Sequence, residues 1–250
     1  MQHLIKGQDK MDRLLEIKNL AIGYKDNPLF TDVNFDIFRG DCIMLCGANG
    51  SGKSTLLRSL AAYSPDIKAV MIPTGIPKIQ GFTLKDFVRI SCFRQSDLAG
   101  RLSTQDNAAL DSALITLGID SLADRDISTL SDGEFQKACI ASALVRRADL
   151  ILLDEPTAFL DPRNRISVLN TLRSLCLPSH SQSSTPAIPA LPEASRITGI
   201  DASKAPAVIF STHDLTDGLK VCTRVIALSP DKKFIISSEN LSETAHSIFL

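Results

Sequence analysis

The residues with the most legible chemistry are Gly47-Ala48-Asn49-Gly50-Ser51-Gly52-Lys53-Ser54-Thr55. They fill every fixed position of the phosphate-binding pattern G-x-x-x-x-G-K-[ST]. Glycines at this spacing let successive backbone N–H groups turn inward on an anion. A helix starting at the end of the loop adds its unsatisfied donors and its positive dipole end. A lysine at position 53 reaches β- and γ-phosphates, and the Ser54 hydroxyl completes the shell of a Mg²⁺ ion. The bland alternative is a glycine-rich turn ahead of a helix. The flanks favour the phosphate reading. Cys42-Ile43-Met44-Leu45-Cys46 is wholly apolar, as in a parallel strand buried on both faces. Leu56, Leu57 and Leu60 then fall on one side of a helix.

Two other strand ends carry reactive residues. Leu150–Leu153 is an apolar run closed by Asp154-Glu155-Pro156. Acids at the end of a buried strand are costly unless they meet a metal or a reacting group. Asp154 is therefore expected to share a Mg²⁺ ion with Ser54, and Glu155 to polarise an attacking water. Two acids before a proline also make an ordinary turn, and the phosphate loop in the same chain favours the metal. Ala207–Ser211 is a further buried strand that delivers Thr212-His213-Asp214 to the same edge. Ligands of open α/β sheets bind at the carboxyl ends of strands, so His213 is placed to sense or hold a γ-phosphate.

Three further features are less specific. Leu130-Ser131-Asp132-Gly133-Glu134 opens a helix, with Ser131 and Glu134 forming a capping box. Gly133 costs that first turn about 1 kcal/mol relative to alanine unless its backbone must be approached closely. Asp161-Pro162 caps another helix, whose Ile166, Leu169 and Leu172 are expected to face the core. Tyr24 either stacks on a base or packs on its own strand pair, and by position alone it reads as the latter.

The elements that must hold these residues follow from periodicity. A strand begins at Leu14, and Val33, Phe35 and Ile37 alternate with Asp32, Asn34 and Asp36, so antiparallel strands precede the phosphate loop. Ala69–Ile72 is a second short strand of the core. Capping boxes at Thr83 and Ser103, an apolar face of Leu110, Ala113, Leu114 and Leu117, and a stop at Gly118 mark residues 82–145 as a helical insertion. Residues 178–206, rich in Pro, Ser, Ala and Thr, read as a surface loop in which His180 is a solvated residue. Val225–Leu228 and Phe234–Ile236 form a closing hairpin. Residues 1–13 are a polar leader and 238–250 a tail, leaving one domain over 14–237. The expected class is α/β: a mostly parallel core of the P-loop NTPase kind, an N-terminal antiparallel β subdomain and the inserted helical subdomain.

Bulk properties narrow the roles. The 250 residues are 44% hydrophobic and 22% charged, ordinary for a globular domain, and the net charge of −1 supplies no basic field for nucleic acid. No apolar run is long enough to span a bilayer, and the N-terminus lacks a signal-peptide pattern, so a cytoplasmic location is expected. The six cysteines form no C-x-x-C pair, and Cys42 and Cys46 share one face of their strand as core residues.

In order, the chain shows a phosphate loop, a helical insert, Leu-Ser-Asp-Gly-Glu, Ile-Leu-Leu-Asp-Glu-Pro, Phe-Leu-Asp and Ser-Thr-His-Asp. From Leu14 to Ser237 this order resembles the nucleotide-binding subunit of an ABC transporter. The resemblance implies ATP and Mg²⁺ as ligands. Gly47 to Thr55 match the Walker A loop, Asp154 the Walker B aspartate and Glu155 the catalytic glutamate. His213 matches the switch histidine, and Asp161 the aspartate that communicates across a dimer. Tyr24 matches the aromatic that stacks on adenine, against its reading by position. Ser131 and Gly133 match the signature motif, which in that family meets the γ-phosphate of ATP on the opposite subunit. A nucleotide-sandwich homodimer is thus implied, docked on membrane permease subunits at the inner face of the plasma membrane. A substrate-binding protein acts indirectly, and nucleic acid is not a partner.

Three positions depart from the pattern: Thr74, Asp132 and Glu134, the last a frequent variant of a usual glutamine. Thr74 stands where the family has a glutamine that contacts Mg²⁺ and the membrane partner; its reach is shorter, and Gln80 is nearby. Asp132 stands at a usual glycine, and a carboxylate there repels phosphate, so it is expected to point into solvent. The segment Thr83-Leu84-Lys85-Asp86-Phe87-Val88 and the pair Asp124-Arg125 look like those of iron–siderophore, haem and vitamin B12 importers. The competing readings are a soluble ABC ATPase not tied to transport and a weakly hydrolysing, nucleotide-dependent dimerisation module. The first class usually carries two cassettes or a long coiled coil.

Overall fold

The computed structural model describes residues 12–24, 27–63, 66–92, 103–176, 204–229 and 234–246. The leader up to residue 11, most of the 178–206 loop with His180, and residues 247–250 lie outside the described residues.

The chain starts with an antiparallel pair, β1 (Arg13–Tyr24) and β2 (Asn27–Phe38), in which Ile17 faces Phe35 and Ile22 faces Phe30. The alternation expected of β2 is present: Val33, Phe35 and Ile37 are buried and Asn34 is exposed. β3 (Cys42–Gly47) leads through the phosphate loop into α1 (Lys53–Tyr63), and β4 (Ala69–Ile72) follows. Among the described residues, three α-helices then precede the next strand: α2 (Leu84–Ile90), α3 (Thr104–Thr116) and α4 (Asp132–Val145). β5 (Leu150–Leu153), α5 (Pro162–Cys176), β6 (Ala207–Ser211), α6 (Leu215–Leu219), β7 (Arg224–Leu228), β8 (Phe234–Ser237) and α7 (Leu241–His246) complete the order.

The main sheet has the order β4-β5-β6-β3-β7-β8. Every pairing is parallel except β7 with β8, which is antiparallel. The central strands read as continuous apolar runs because both faces are covered. β3 shows how the two cores divide. Cys42, Met44 and Cys46 join a cluster with α4 and α5, while Ile43 and Leu45 join Leu56, Leu57 and Leu60 of α1 and the β1–β2 pair. Each such fully buried side chain contributes about 1.5–3 kcal/mol relative to exposure, which fixes the strand ends that carry the site.

One core expectation fails. Ile166 is 45% exposed, whereas Val168, Leu169 and Leu172 are buried. At 100° per residue Ile166 lies about 120° from Leu172, off the stripe that α5 buries. Among the described residues, no helix is long and apolar enough to cross a membrane.

Candidate active site

The parallel order places the ends of β3, β6 and β5 side by side, and each delivers part of the site. β3 ends in Gly47, where a Cβ would lie 2.5 Å from Ser51 Oγ and 2.8 Å from the Leu228 carbonyl. Only glycine lets the loop fold this tightly against β7. Asn49 and Gly50 are exposed, and Gly50 and Gly52 both have positive φ. Lys53 is buried, and its Nζ donates to the carbonyls of Gly47 (2.9 Å) and Ala48 (3.2 Å). Burial pulls this ammonium below the usual lysine value, and the nearby Glu155 and Asp154 carboxylates oppose the shift. Ser54 and Thr55 lie in the first turn of α1.

At the end of β5, Asp154 is buried and its Oδ1 accepts from Ser211 Oγ at 2.9 Å. The same Ser211 oxygen accepts the Glu155 N–H at 2.8 Å. Ser211 is fully buried on β6, and one hydroxyl therefore fixes both acids. Glu155 has φ +49°, a left-handed conformation uncommon for a non-glycine residue and often found at functional sites. That turn sends its Oε1 to within 2.5 Å of His213 Nε2. Asp214, next to His213, is ion-paired with Arg165 of α5. The Thr74 hydroxyl donates to the Asp154 carbonyl at 2.6 Å, so its proton is committed to the end of β5.

A second group surrounds the start of α4. The Ser131 N–H and hydroxyl both donate to Glu134 Oε2 at 2.8 Å, and these bonds hold the Glu134 carboxyl below its ordinary value. Asp161 caps α5 by accepting the N–H groups of Arg163 and Asn164, each at 3.0 Å. A Cβ on Gly133 would meet Asn164 Oδ1 at 2.7 Å and Asn164 Cβ at 3.0 Å. The glycine thus admits the first turn of α5 against that of α4. Ser131, Asp132, Asp161 and Asn164 line a common surface recess of about 270 Å³ with Lys78 and Phe159.

Asp132 points into solvent, as expected. Its side chain is 59% exposed, yet Lys78 Nζ sits 2.7 Å from its Oδ1. The lysine arrives from the segment between β4 and α2, a juxtaposition that local sequence does not reveal.

Of the predicted residues, Gly47 to Thr55, Asp154, Glu155 and His213 share one sheet edge. Thr74 touches that edge through the Asp154 backbone. Ser131, Gly133 and Asp161 form the second group, and among the described residues no hydrogen bond joins them to the phosphate loop. Tyr24 closes β1 opposite Asn27. Ser211, Asn164 and Lys78 were not singled out from the sequence. The one signal for Ser211 is a small hydroxyl residue ending an apolar strand, directly before Thr212-His213.

The residues present fit a nucleoside triphosphate with a hard cation. Ser51 Oγ is buried inside the loop without a partner, and a phosphate oxygen would supply one. One carboxylate and one hydroxyl, Asp154 and Ser54, suit Mg²⁺, which keeps several waters and takes its other ligands from phosphate.

Residues 30–158 match the family model described as ABC transporter. The chain is 32% identical over 186 residues to the petrobactin import ATP-binding protein FpuD of Bacillus anthracis, covering 66% of this chain and 68% of FpuD. It is 29% identical over 251 residues to the molybdate import ATP-binding protein MolC of Haemophilus influenzae, covering 94% and 89%. A solved inward-facing structure of a candidate metal-chelate type ABC transporter superposes with TM-score 0.74 at 26% identity, covering 95% of this chain and 89% of that one.

Proposed function

The chain belongs to the ABC transporter family and is an ATPase, and from that premise we propose that it is the motor subunit of an importer. The observation that carries the reading is the meeting of Lys53, Asp154, Glu155 and His213 at one sheet edge, with Glu155 held by Ser211 and His213. ATP binds with its phosphates in the Gly47–Thr55 loop and its base on Tyr24. Lys53 turns its ammonium from the loop carbonyls to the γ-phosphate. Glu155 aligns the attacking water and takes up its proton, and His213 fixes Glu155 and faces the γ-phosphate. Ser54 and Asp154 would hold Mg²⁺, with the Thr74 hydroxyl oxygen a further candidate ligand. When bound, that ion neutralises charge on the phosphate oxygens. No covalent intermediate is required, because positioning and charge stabilisation suffice for phosphoryl transfer to water.

Each site is completed by a second copy of the chain, which presents the start of its α4, with Ser131 and Gly133, and its Asp161. ATP then joins two subunits and hydrolysis releases them, a two-state cycle driven by ligand. The dimer docks under membrane permease subunits at the inner face of the plasma membrane and is served by a substrate-binding protein. The petrobactin relative and the metal-chelate transporter favour an iron chelate as cargo, with haem and cobalamin in the same group. The molybdate relative makes oxyanion uptake the comparison to run beside it.

The test is the molar mass of Glu155→Gln with and without MgATP. The expected result is a monomer that becomes a dimer on adding MgATP, with hydrolysis reduced at least a hundredfold. Hydrolysis at the parent rate would sink the assignment of Glu155. A monomer that still binds ATP would sink the composite site.

A further inference from the structure

Lys78 emerges from the segment that follows β4 and ends against the start of α4. Its Nζ donates to the Leu130 carbonyl and to Asp132 Oδ1, each at 2.7 Å, and lies 5.7 Å from the centre of the Phe135 ring. Only 24% of its side chain is exposed.

This placement does not serve the helix. Asp132 occupies the first position of α4, where a carboxylate is already stabilised by the positive end of the helix dipole. A lysine brought to that end opposes the dipole. What it changes is the charge beside the helix start, because it pairs one of the two carboxylates that line the recess. Without Lys78, the recess shared by Ser131, Asp132 and Asp161 presents carboxylates. With it, the Asp132 carboxylate is ion-paired, and the Asp161 carboxylate is already engaged by the N–H groups of Arg163 and Asn164. Glu134 turns its carboxylate back on Ser131, whose N–H and hydroxyl both donate to Oε2.

We infer that Lys78 is a positioning residue that makes the start of α4 competent to receive a phosphate group by holding and neutralising Asp132. The inference rests on the reading that this helix start meets ATP bound to a second copy of the chain. Lys78 also belongs to the segment whose Thr74 bonds the Asp154 carbonyl. One short stretch therefore fastens the catalytic strand end and tunes the phosphate-facing helix.

The experiment measures the ATP concentration for half-maximal dimerisation, by sedimentation or light scattering, in the Glu155→Gln background with Mg²⁺. Lys78→Met is expected to raise it on the order of tenfold, because an unpaired carboxylate then stands near the γ-phosphate. Adding Asp132→Asn to Lys78→Met is expected to restore the parent value within about twofold, and Lys78→Arg to retain it. Far-UV circular dichroism and thermal melting confirm that each variant is folded. An unchanged requirement in Lys78→Met overturns the inference, as does a loss that Asp132→Asn fails to repair. Failure of the Glu155→Gln parent to dimerise overturns the composite-site reading and this inference with it. A dimerising parent with an indifferent Lys78→Met overturns this inference alone.

Discussion

Ser211 holds two groups with conflicting needs, a buried carboxylate on Asp154 and a backbone N–H on a residue in the left-handed region. Its hydroxyl donates to the first and accepts from the second, so Glu155 keeps its φ of +49° without leaving a polar group orphaned. Ser211→Ala removes both bonds. It is expected to destabilise the protein by about 1–3 kcal/mol in denaturant titration, the usual cost of unsatisfied buried polar groups. ATP hydrolysis should fall at least tenfold while ATP binding persists, because the loss falls on the alignment of Glu155 and leaves the phosphate loop intact. Lys53→Ala is expected to do the reverse, abolishing ATP binding in a nucleotide-binding assay and leaving the Glu155–Ser211 contact in place.

Between elements, the start of α4 and the start of α5 meet at Gly133. Alanine there gains about 1 kcal/mol of helix propensity. It also places a Cβ 2.7 Å from Asn164 Oδ1 and 2.8 Å from its Cγ, and the Asn164 amide is tied in place to Asp161 Oδ2 at 2.6 Å. Overlap of this kind costs roughly 1–3 kcal/mol, so Gly133→Ala is expected to be net destabilising. The Gly133→Ala, Asn164→Ala double variant should regain stability over Gly133→Ala alone. A thermal-melting double-mutant cycle reads that coupling, and additive effects would show that the two helix starts do not share the contact.

At the level of the whole molecule, the ends of its helices and turns tie stability to pH. Hydrogen bonds hold four carboxyls below their ordinary values: Glu134 through Ser131, Asp126 through Ser128 and the Gly81 N–H, Asp161 through Asn164 and Arg163, and Glu16 through Lys18. A carboxyl whose folded value is depressed contributes fully above its unfolded value and loses that contribution as the pH falls through the folded one. Asp41 has the opposite sign. Burial raises its carboxyl against the pull of Arg224, so it favours the folded state as acid is added. With four losses against one gain, the melting temperature is expected to drop as the pH is lowered from 7 to below about 4. Asp126→Asn should lower the neutral melting temperature and flatten that acid slope.

The phosphate loop, the apolar strands and the paired acids were legible in the sequence because each is a local pattern. Glycine spacing, continuous apolar runs and capping boxes constrain the backbone over a few residues, and burial on both sheet faces enforces the rest. The sheet order that sets Gly47, Asp154 and His213 side by side follows from packing across the chain, as do the contacts of residues far apart in sequence. Ser211 with Asp154 and Glu155, Asn164 with Gly133, and Lys78 with Asp132 have no periodic signature. Ile166 marks the same boundary on a smaller scale: an apolar residue near a helical stripe is buried only where a neighbouring element covers it, and α5 is covered along Leu169, Leu172 and Leu175 instead. Which chemistry the chain carries is set by local residue patterns. How each charge is paired is set by the packing of distant elements, because pairing depends on distances that no local pattern encodes.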